Sequence, residues 1–196
     1  ASGPTVALVS GTGSVCIGRD NAQRIRRVGG RGYLVGDEGS GYWLGQQALA
    51  AALRGAEQLG PGTALTRIAA ERFSTEDVAA WTQAIYLAPN PRQVIASFAP
   101  EVPAAAAAGD TQAEQILERA SESLAQHVES VVESLAISGG AYTLVLAGSV
   151  LVHSEVLRHA LTKKLQAAGI APATTSVITS PAQSAAVERG RSTSPP

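Results

Sequence analysis

The beginning of the chain carries short apolar runs of the kind that form β-strands. Residues 5–10 are mostly apolar and become polar at the end, as expected for a buried strand. A tight turn of small residues follows, and then a returning strand over 15–18. In a third strand, over 22–28, arginines separate Ile25 from Val28, so one face of this strand is predicted to be solvated. The pattern therefore predicts three strands joined by hairpins.

Beyond these strands, apolar positions recur at the three- and four-residue spacing of helices. The first predicted helix covers 42–53, with Ser40 as its N-cap and Gly55 at its end. The stretch from about 62 to 137 is predicted to be nearly all helical. Prolines divide it into short pieces, and Asp110 caps the long helix that closes it.

Two side chains of this helical stretch could be mistaken for ligand-binding residues. We interpret Trp81 as a core residue and His127 as a surface or boundary residue, because such side chains on helices are more often structural. The helix that carries Trp81 is predicted to begin at a cap formed by Ser74 or Thr75.

The end of the chain alternates strands and helices. Strands over 142–147 and 174–178 alternate with helices over 154–168 and from Pro181 to about 189, which predicts a parallel α/β unit with a right-handed crossover. Ligands of such sheets bind beyond the carboxyl ends of the strands. Three small residues are predicted to lie there: Gly148, Ser149 and Ser180.

Composition and charge exclude several classes of function. The 196 residues are 45% hydrophobic and 16% charged, which is typical of a globular protein of one domain or two small lobes. The net charge of −1, without a long like-charge run, argues against binding to nucleic acid or to an acidic membrane. Cys16 is the only cysteine, which excludes an intramolecular disulfide and agrees with a cytoplasmic location. Methionine is absent, so we expect a fragment of a longer chain.

A glycine-rich stretch, Gly29 to Gly45, stands out from the rest. Glycine inside a regular element is costly, so this density indicates a backbone with positive φ angles or one that approaches another group closely. Asp37 within it is either a turn residue or a carboxylate that accepts a ligand hydroxyl. Just upstream, the small-residue turn at 11–14 could bind phosphate through its backbone N–H groups, although such turns are more often simple hairpins.

Four motifs of the chain belong together: Ser10-Gly11-Thr12-Gly13-Ser14, Gly29-Gly30-x-Gly-Tyr33, Gly36-Asp37-Glu38-Gly39-Ser40-Gly41-Tyr42-Trp43-Leu44-Gly45 and Leu144-Val145-Leu146-Ala147-Gly148-Ser149. By these motifs the chain resembles the BadF/BadG/BcrA/BcrD ATPase family, and within it the N-acetylglucosamine kinase-like sugar kinases. The resemblance covers about residues 5–189 and implies an α/β fold of the actin/hexokinase/Hsp70 (ribonuclease H-like) type, with the helices of 62–137 inserted in it.

The resemblance also implies roles for individual residues. The ATP phosphates, with Mg²⁺, would contact Gly11, Thr12, Gly13 and Ser14. The sugar would contact Thr12, Gly30 and Asp37, with Asp37 accepting a hydrogen bond from a hydroxyl. The adenosine would lie at Gly148 and Ser149.

Three positions depart from the family pattern. Ser149 replaces the second of two glycines, Arg31 stands where a tryptophan is common, and Val15 stands where mammalian N-acetylglucosamine kinases carry an asparagine. The last two departures weaken the claim that the sugar is N-acetylglucosamine itself.

The resemblance further implies that part of the kinase lies outside this chain. A first phosphate loop is missing, and none of the four aspartates precedes Gly11, so no catalytic base and no metal ligand are assigned here. We expect residues 1–189 to be the C-terminal lobe of a homodimeric amino-sugar kinase, with a disordered tail over 190–196. The N-terminal lobe, absent from this chain, would be its partner, and the chain alone would be inactive.

Other functions remain open on the sequence. One is an ATPase activator of a dehydratase or reductase, although such activators hold an iron–sulfur cluster with paired cysteines and only Cys16 is present. Another is a non-catalytic, sugar-sensing regulator on the same fold. The last is a glycine-rich α/β domain without a ligand.

Overall fold

A five-stranded mixed sheet forms the base of the molecule. The computed structural model describes residues 3–179. The strands are β1 (Thr5–Ser10), β2 (Ser14–Arg19), β3 (Ile25–Gly29), β4 (Thr143–Ala147) and β5 (Thr174–Val177), in the order β3-β2-β1-β4-β5. β1, β2 and β3 form antiparallel hairpins, whereas β4 runs parallel to β1 and β5 parallel to β4. The central strand β1 therefore has the hairpin strands β2 and β3 on one side and the parallel strands β4 and β5 on the other.

Eight helices complete the described part of the chain. They are α1 (Gly41–Ala56), α2 (Ala64–Phe73), α3 (Val78–Tyr86), α4 (Pro91–Ala96), α5 (Glu101–Ala107), α6 (Thr111–Ser134), α7 (Ser149–His153) and α8 (Glu155–Ala167). The side chains of Ser40 and Asp110 cap α1 and α6, as the sequence predicts.

The core lies between one face of the sheet and the apolar stripe of α6, while α8 packs against α6. Alternate strand residues point to this face, since Val6 and Leu8 of β1 pair with the equally buried Leu144 and Leu146 of β4. Close contact requires a glycine in β2, because a Cβ at Gly18 would lie 2.3 Å from a methyl carbon of Val131. The long helix is thereby held against the strands that lead into the small-residue turn.

The structure corrects several details. The cap of α3 is Asp77 rather than Ser74 or Thr75, because Ser74 adopts a left-handed conformation that ends α2. Gly55 lies inside α1, where its lack of a side chain leaves room for Thr66.

Other differences concern where strands and helices begin and how many there are. The third strand begins at Ile25, which is 69% exposed because β3 lies at the edge of the sheet. Helix α7 was not predicted. Trp81 is buried, as predicted, and His127 is half-buried. The predicted helix from Pro181, Ser180 and the tail over 190–196 lie outside the described residues.

Candidate functional site

The small-residue turn and the glycine-rich stretch form one hydrogen-bonded unit. The turn at 11–13 joins β1 to β2, and the stretch crosses it on the way from β3 to α1. Four hydrogen bonds join them: Ser10 Oγ to the Gly39 carbonyl (2.8 Å), Ser14 Oγ to the Glu38 carbonyl (2.8 Å), the Gly41 N–H to the Gly11 carbonyl (2.7 Å) and the Gly30 N–H to the Ser14 carbonyl (2.8 Å). These hydrogen bonds therefore join the two motifs into a single surface.

Asp37 is the buried carboxylate of this unit. Only 4% of the residue is exposed, and its Oδ1 is buried without a hydrogen-bond partner among the described residues. Its φ of +61° is in the left-handed region, which aspartate tolerates better than most residues. Burial of an ionised carboxylate is costly unless it is paired, so an unpartnered oxygen held in a special backbone conformation points to a ligand group.

Gly13 lies directly against this carboxylate. A Cβ at Gly13 would lie 2.7 Å from Asp37 Oδ2, closer than real Cβ atoms come. The lack of a side chain at this position therefore lets the carboxylate reach the turn. The predicted phosphate-binding and sugar-binding motifs meet at these two residues.

A pocket of about 420 Å³ opens beside the turn. Its polar side is formed by Gly11, Thr12 and Ser149, the last of which begins α7. Its apolar wall comes from α1, α4 and the region around α5, through Leu44, Ala96, Ala99, Pro100 and Pro103. Val150, His153, Ser154 and Gly41 complete the lining. Sequence reasoning missed the apolar wall, because it assembles only when α4 and α5 pack against α1.

Gly148 allows α7 to begin next to this turn. Its φ is +89°, and a Cβ there would lie 2.3 Å from the Ser10 carbonyl oxygen. Any other residue would thus be both strained and in collision with β1. The carboxyl ends of β1 and β4 consequently lie side by side, which is where open α/β sheets bind ligands.

The remaining predicted residues have different surroundings. Ser14 is buried, its hydroxyl donates to the Glu38 carbonyl, and its own carbonyl accepts from the Gly30 N–H, so both groups are used within the unit. Gly30 adopts a φ of +65°, and its carbonyl accepts a hydrogen bond from Arg27 Nη2 at 3.0 Å. Arg31 is exposed.

His127 of α6 joins the unit from the opposite side, which the sequence did not predict. A Cβ at Gly29 would lie 3.2 Å from His127 Cε1, so the imidazole fills the space that this glycine leaves. Burial lowers the pKa of His127, and the negative charges of Glu38 and Asp37 oppose that shift without cancelling it. The lowered pKa favours the neutral imidazole. No local signal could reveal this contact, since about a hundred residues separate its partners.

Two further features concern the whole described region. No group of three or more histidine, cysteine or acidic residues in 3–179 could hold a metal ion. None of the helices within that range is long and apolar enough to cross a bilayer.

Comparison with known proteins gives one consistent family. The model of the BadF/BadG/BcrA/BcrD ATPase family matches residues 1–187. The chain is 34% identical, over 146 residues, to the N-acetylmuramic acid/N-acetylglucosamine kinase of Clostridium acetobutylicum, which covers 74% of this chain and 48% of that protein. It is 30% identical, over 168 residues, to the N-acetyl-D-glucosamine kinase of Dictyostelium discoideum, with 82% and 51% covered. The chain thus spans about half the length of these relatives.

Two solved structures share the fold. A Chromobacterium violaceum protein, provisionally described as an N-acetylglucosamine kinase, superposes with a TM-score of 0.67 at 27% identity, covering 86% of this chain and 55% of that one. A Porphyromonas gingivalis protein with the same provisional description gives 0.71 at 21% identity, covering 97% and 62%. The predicted fold class, an α/β fold of the actin/hexokinase type with inserted helices, is confirmed.

Proposed function

The chain belongs to the BadF/BadG/BcrA/BcrD ATPase family, and on this premise we propose that it is the nucleotide- and sugar-binding lobe of an ATP-dependent sugar kinase. One observation carries the proposal. The unpartnered Asp37 carboxylate lies against Gly13, within the unit that also borders the pocket at Ser149. A phosphate-binding turn and a hydroxyl acceptor in contact are what transfer of a phosphoryl group to a sugar requires.

On the nucleotide side, the backbone N–H groups of Thr12 and Gly13 would bind the ATP phosphates, and Gly11, whose own N–H donates to the Gly13 carbonyl (3.0 Å), would border them. Mg²⁺ would arrive as part of the Mg–ATP substrate. The adenosine would occupy the pocket of about 420 Å³, a volume within the usual range for small-molecule sites. Gly148 and Ser149 would line its polar side.

On the sugar side, Asp37 would accept a hydrogen bond from a hydroxyl, and Gly30 and Thr12 would border the ring. An amino sugar such as N-acetylglucosamine or glucosamine is the proposed substrate, because both relatives bear the name of N-acetylglucosamine kinases. N-acetylmuramic acid is a further candidate through the clostridial relative, whose name includes it.

No residue of this chain is proposed as the catalytic base. Asp37 follows the phosphate turn and is assigned to substrate binding, so the group that removes the proton from the attacking hydroxyl would come from a second lobe. We further propose that the full-length protein is a homodimer. An activator function is less well supported, because Cys16 is 0% exposed within the core and so is not available to ligate a cluster between subunits.

A substrate panel tests the proposal. The full-length protein is incubated with Mg–ATP and each of glucosamine, N-acetylglucosamine, N-acetylmuramic acid and glucose, and ADP release is measured. We expect release that depends on an amino sugar. Release that is equal with and without sugar would indicate an activator-type ATPase, and sugar binding without release would indicate a regulator.

The same assay tests two narrower points. The purified 196-residue chain is expected to give no sugar-dependent release. Asp37→Ala in the full-length protein is expected to raise the sugar KM strongly while the fold is retained, as checked by circular dichroism. Unchanged sugar kinetics would remove Asp37 from the site.

A further inference from the structure

A second polar group without a hydrogen-bond partner among the described residues lies on α6, beside the glycine-rich stretch that carries Asp37. His127 is half-buried on α6, its Nδ1 is fully buried, and no hydrogen bond to either ring nitrogen occurs within the described residues. The imidazole lies over Gly29, where β3 enters the glycine-rich stretch, since a Cβ at Gly29 would be 3.2 Å from His127 Cε1. A buried ring nitrogen without a partner is costly, so it calls for an explanation.

Asp37 and His127 complement each other chemically. Asp37 supplies only acceptor atoms, whereas a neutral imidazole supplies one N–H donor and one acceptor. The two act on each other electrostatically, yet no hydrogen bond joins them. A group that both donates and accepts would satisfy both residues at once, and a sugar hydroxyl is such a group.

We propose that His127 is a specificity residue of the sugar site, and that it and Asp37 bind the same sugar hydroxyl. The hydroxyl donates a hydrogen bond to Asp37 Oδ1, and its oxygen accepts a hydrogen bond from a ring N–H of His127. This inference rests on the proposed kinase function and adds to it a residue from the inserted helical segment.

Glycine at position 29 fits the same interpretation. The close approach of the imidazole to the backbone at Gly29 brings the ring to the side of the turn where Ser14 and Gly30 are hydrogen-bonded. A larger residue at position 29 would displace the imidazole from this place. Helix α6 would then pack against the sheet without contributing a polar group to the sugar site.

Substitution at His127 combined with deoxy sugars tests the proposal. In the full-length protein, His127→Phe keeps an aromatic ring but removes both nitrogens, while His127→Asn and His127→Gln each retain a donor. We expect His127→Phe to raise the KM for N-acetylglucosamine by about 3- to 10-fold, the effect of one lost hydrogen bond. The KM for ATP should not change, and one of the two amide variants should restore part of the loss.

The deoxy analogues separate a direct contact from a structural effect. For one of 3-deoxy- and 4-deoxy-N-acetylglucosamine, wild type and His127→Phe should have equal KM values, because the hydroxyl that His127 binds is missing. The control is His159→Phe on the exposed side of α8, which should behave as wild type for all sugars.

Each outcome is decisive. If His127→Phe weakens every sugar equally, raises the ATP KM, or has no effect, the proposal is overturned although the kinase function stands. If His127→Phe fails to fold, the Asn and Gln variants decide, since a purely structural role predicts the same KM for both with every analogue. If wild type phosphorylates none of the sugars, the proposed function itself fails.

Discussion

Replacement of Gly13 by alanine should damage sugar binding while leaving the fold nearly intact. The new Cβ would lie 2.7 Å from Asp37 Oδ2 and 3.2 Å from its Cγ. Gly13 does not adopt a left-handed backbone, so alanine brings no backbone strain. The atom in collision is the end of a side chain, which can move. The Asp37 carboxylate would therefore be displaced from its position against the turn.

The size of the effect follows from the contact that is lost. The Cβ would be about 0.7 Å closer to Oδ2 than ordinary van der Waals contact allows, which is enough to misalign a hydrogen bond. A hydrogen bond to a charged group contributes about 1.5–3 kcal/mol. Since about 1.4 kcal/mol corresponds to a factor of ten, kcat/KM for the sugar should fall about 10- to 150-fold.

Steady-state kinetics of the full-length protein check this prediction, with Gly62→Ala as the matched control because no atom lies within 4 Å of a Cβ at Gly62. Asp37→Asn and the double variant Gly13→Ala/Asp37→Asn complete a cycle. If alanine acts by displacing the carboxylate, the double variant should be little worse than either single one. Additive losses, or a loss confined to the ATP KM, would refute the reasoning.

Three further predictions concern stability and reactivity. Asp110→Ala should cost about 1–3 kcal/mol in urea unfolding, because its carboxylate caps α6 through Ala113 and also accepts hydrogen bonds from Ala64 N–H and Thr63. Burial opposes ionisation of Asp110, but these hydrogen bonds outweigh the burial and lower the pKa of Asp110 in the folded protein. The loss of stability caused by Asp110→Ala should therefore be complete above about pH 4, and it should shrink as the pH falls through the lowered folded pKa. Gly45→Ala should cost about 1–3 kcal/mol, because a Cβ would lie 1.9 Å from the Ile95 carbonyl oxygen and force α1 from α4; a cost equal to that of Gly62→Ala would contradict this. Burial raises the pKa of Cys16 to about 12, so a thiol reagent at pH 8 should label it only on unfolding; rapid labelling of the native protein would contradict the buried assignment.

The parts of the fold that depend on local chemistry could be predicted from the sequence. Apolar runs identify β1 and β4, and the caps at Ser40 and Asp110 mark where α1 and α6 begin. Ser74 was misassigned because serine serves equally as an N-cap and, in a left-handed conformation, as the end of the preceding helix. Which role it takes depends on how α2 and α3 pack, which local sequence does not record.

The site divides in the same way. Glycine motifs identify the turn and the glycine-rich stretch, because close backbone approach leaves a compositional signal. His127 and the apolar wall at Ala96 and Pro103 leave no such signal, since each reaches the site only through contacts between residues far apart in the chain. The hydrogen bonds that join Ser10 and Ser14 to the stretch are likewise visible only in the folded molecule.

The central claim is that one hydrogen-bonded unit binds both the nucleotide phosphates and the sugar. A crystal structure of the full-length protein with Mg–ADP and N-acetylglucosamine tests it most directly. We expect the ADP phosphates at the backbone of residues 11–13, the adenosine in the pocket beside Ser149, and a sugar hydroxyl within about 3 Å of Asp37 Oδ1. A sugar bound elsewhere, with Asp37 still unpartnered, would contradict the account.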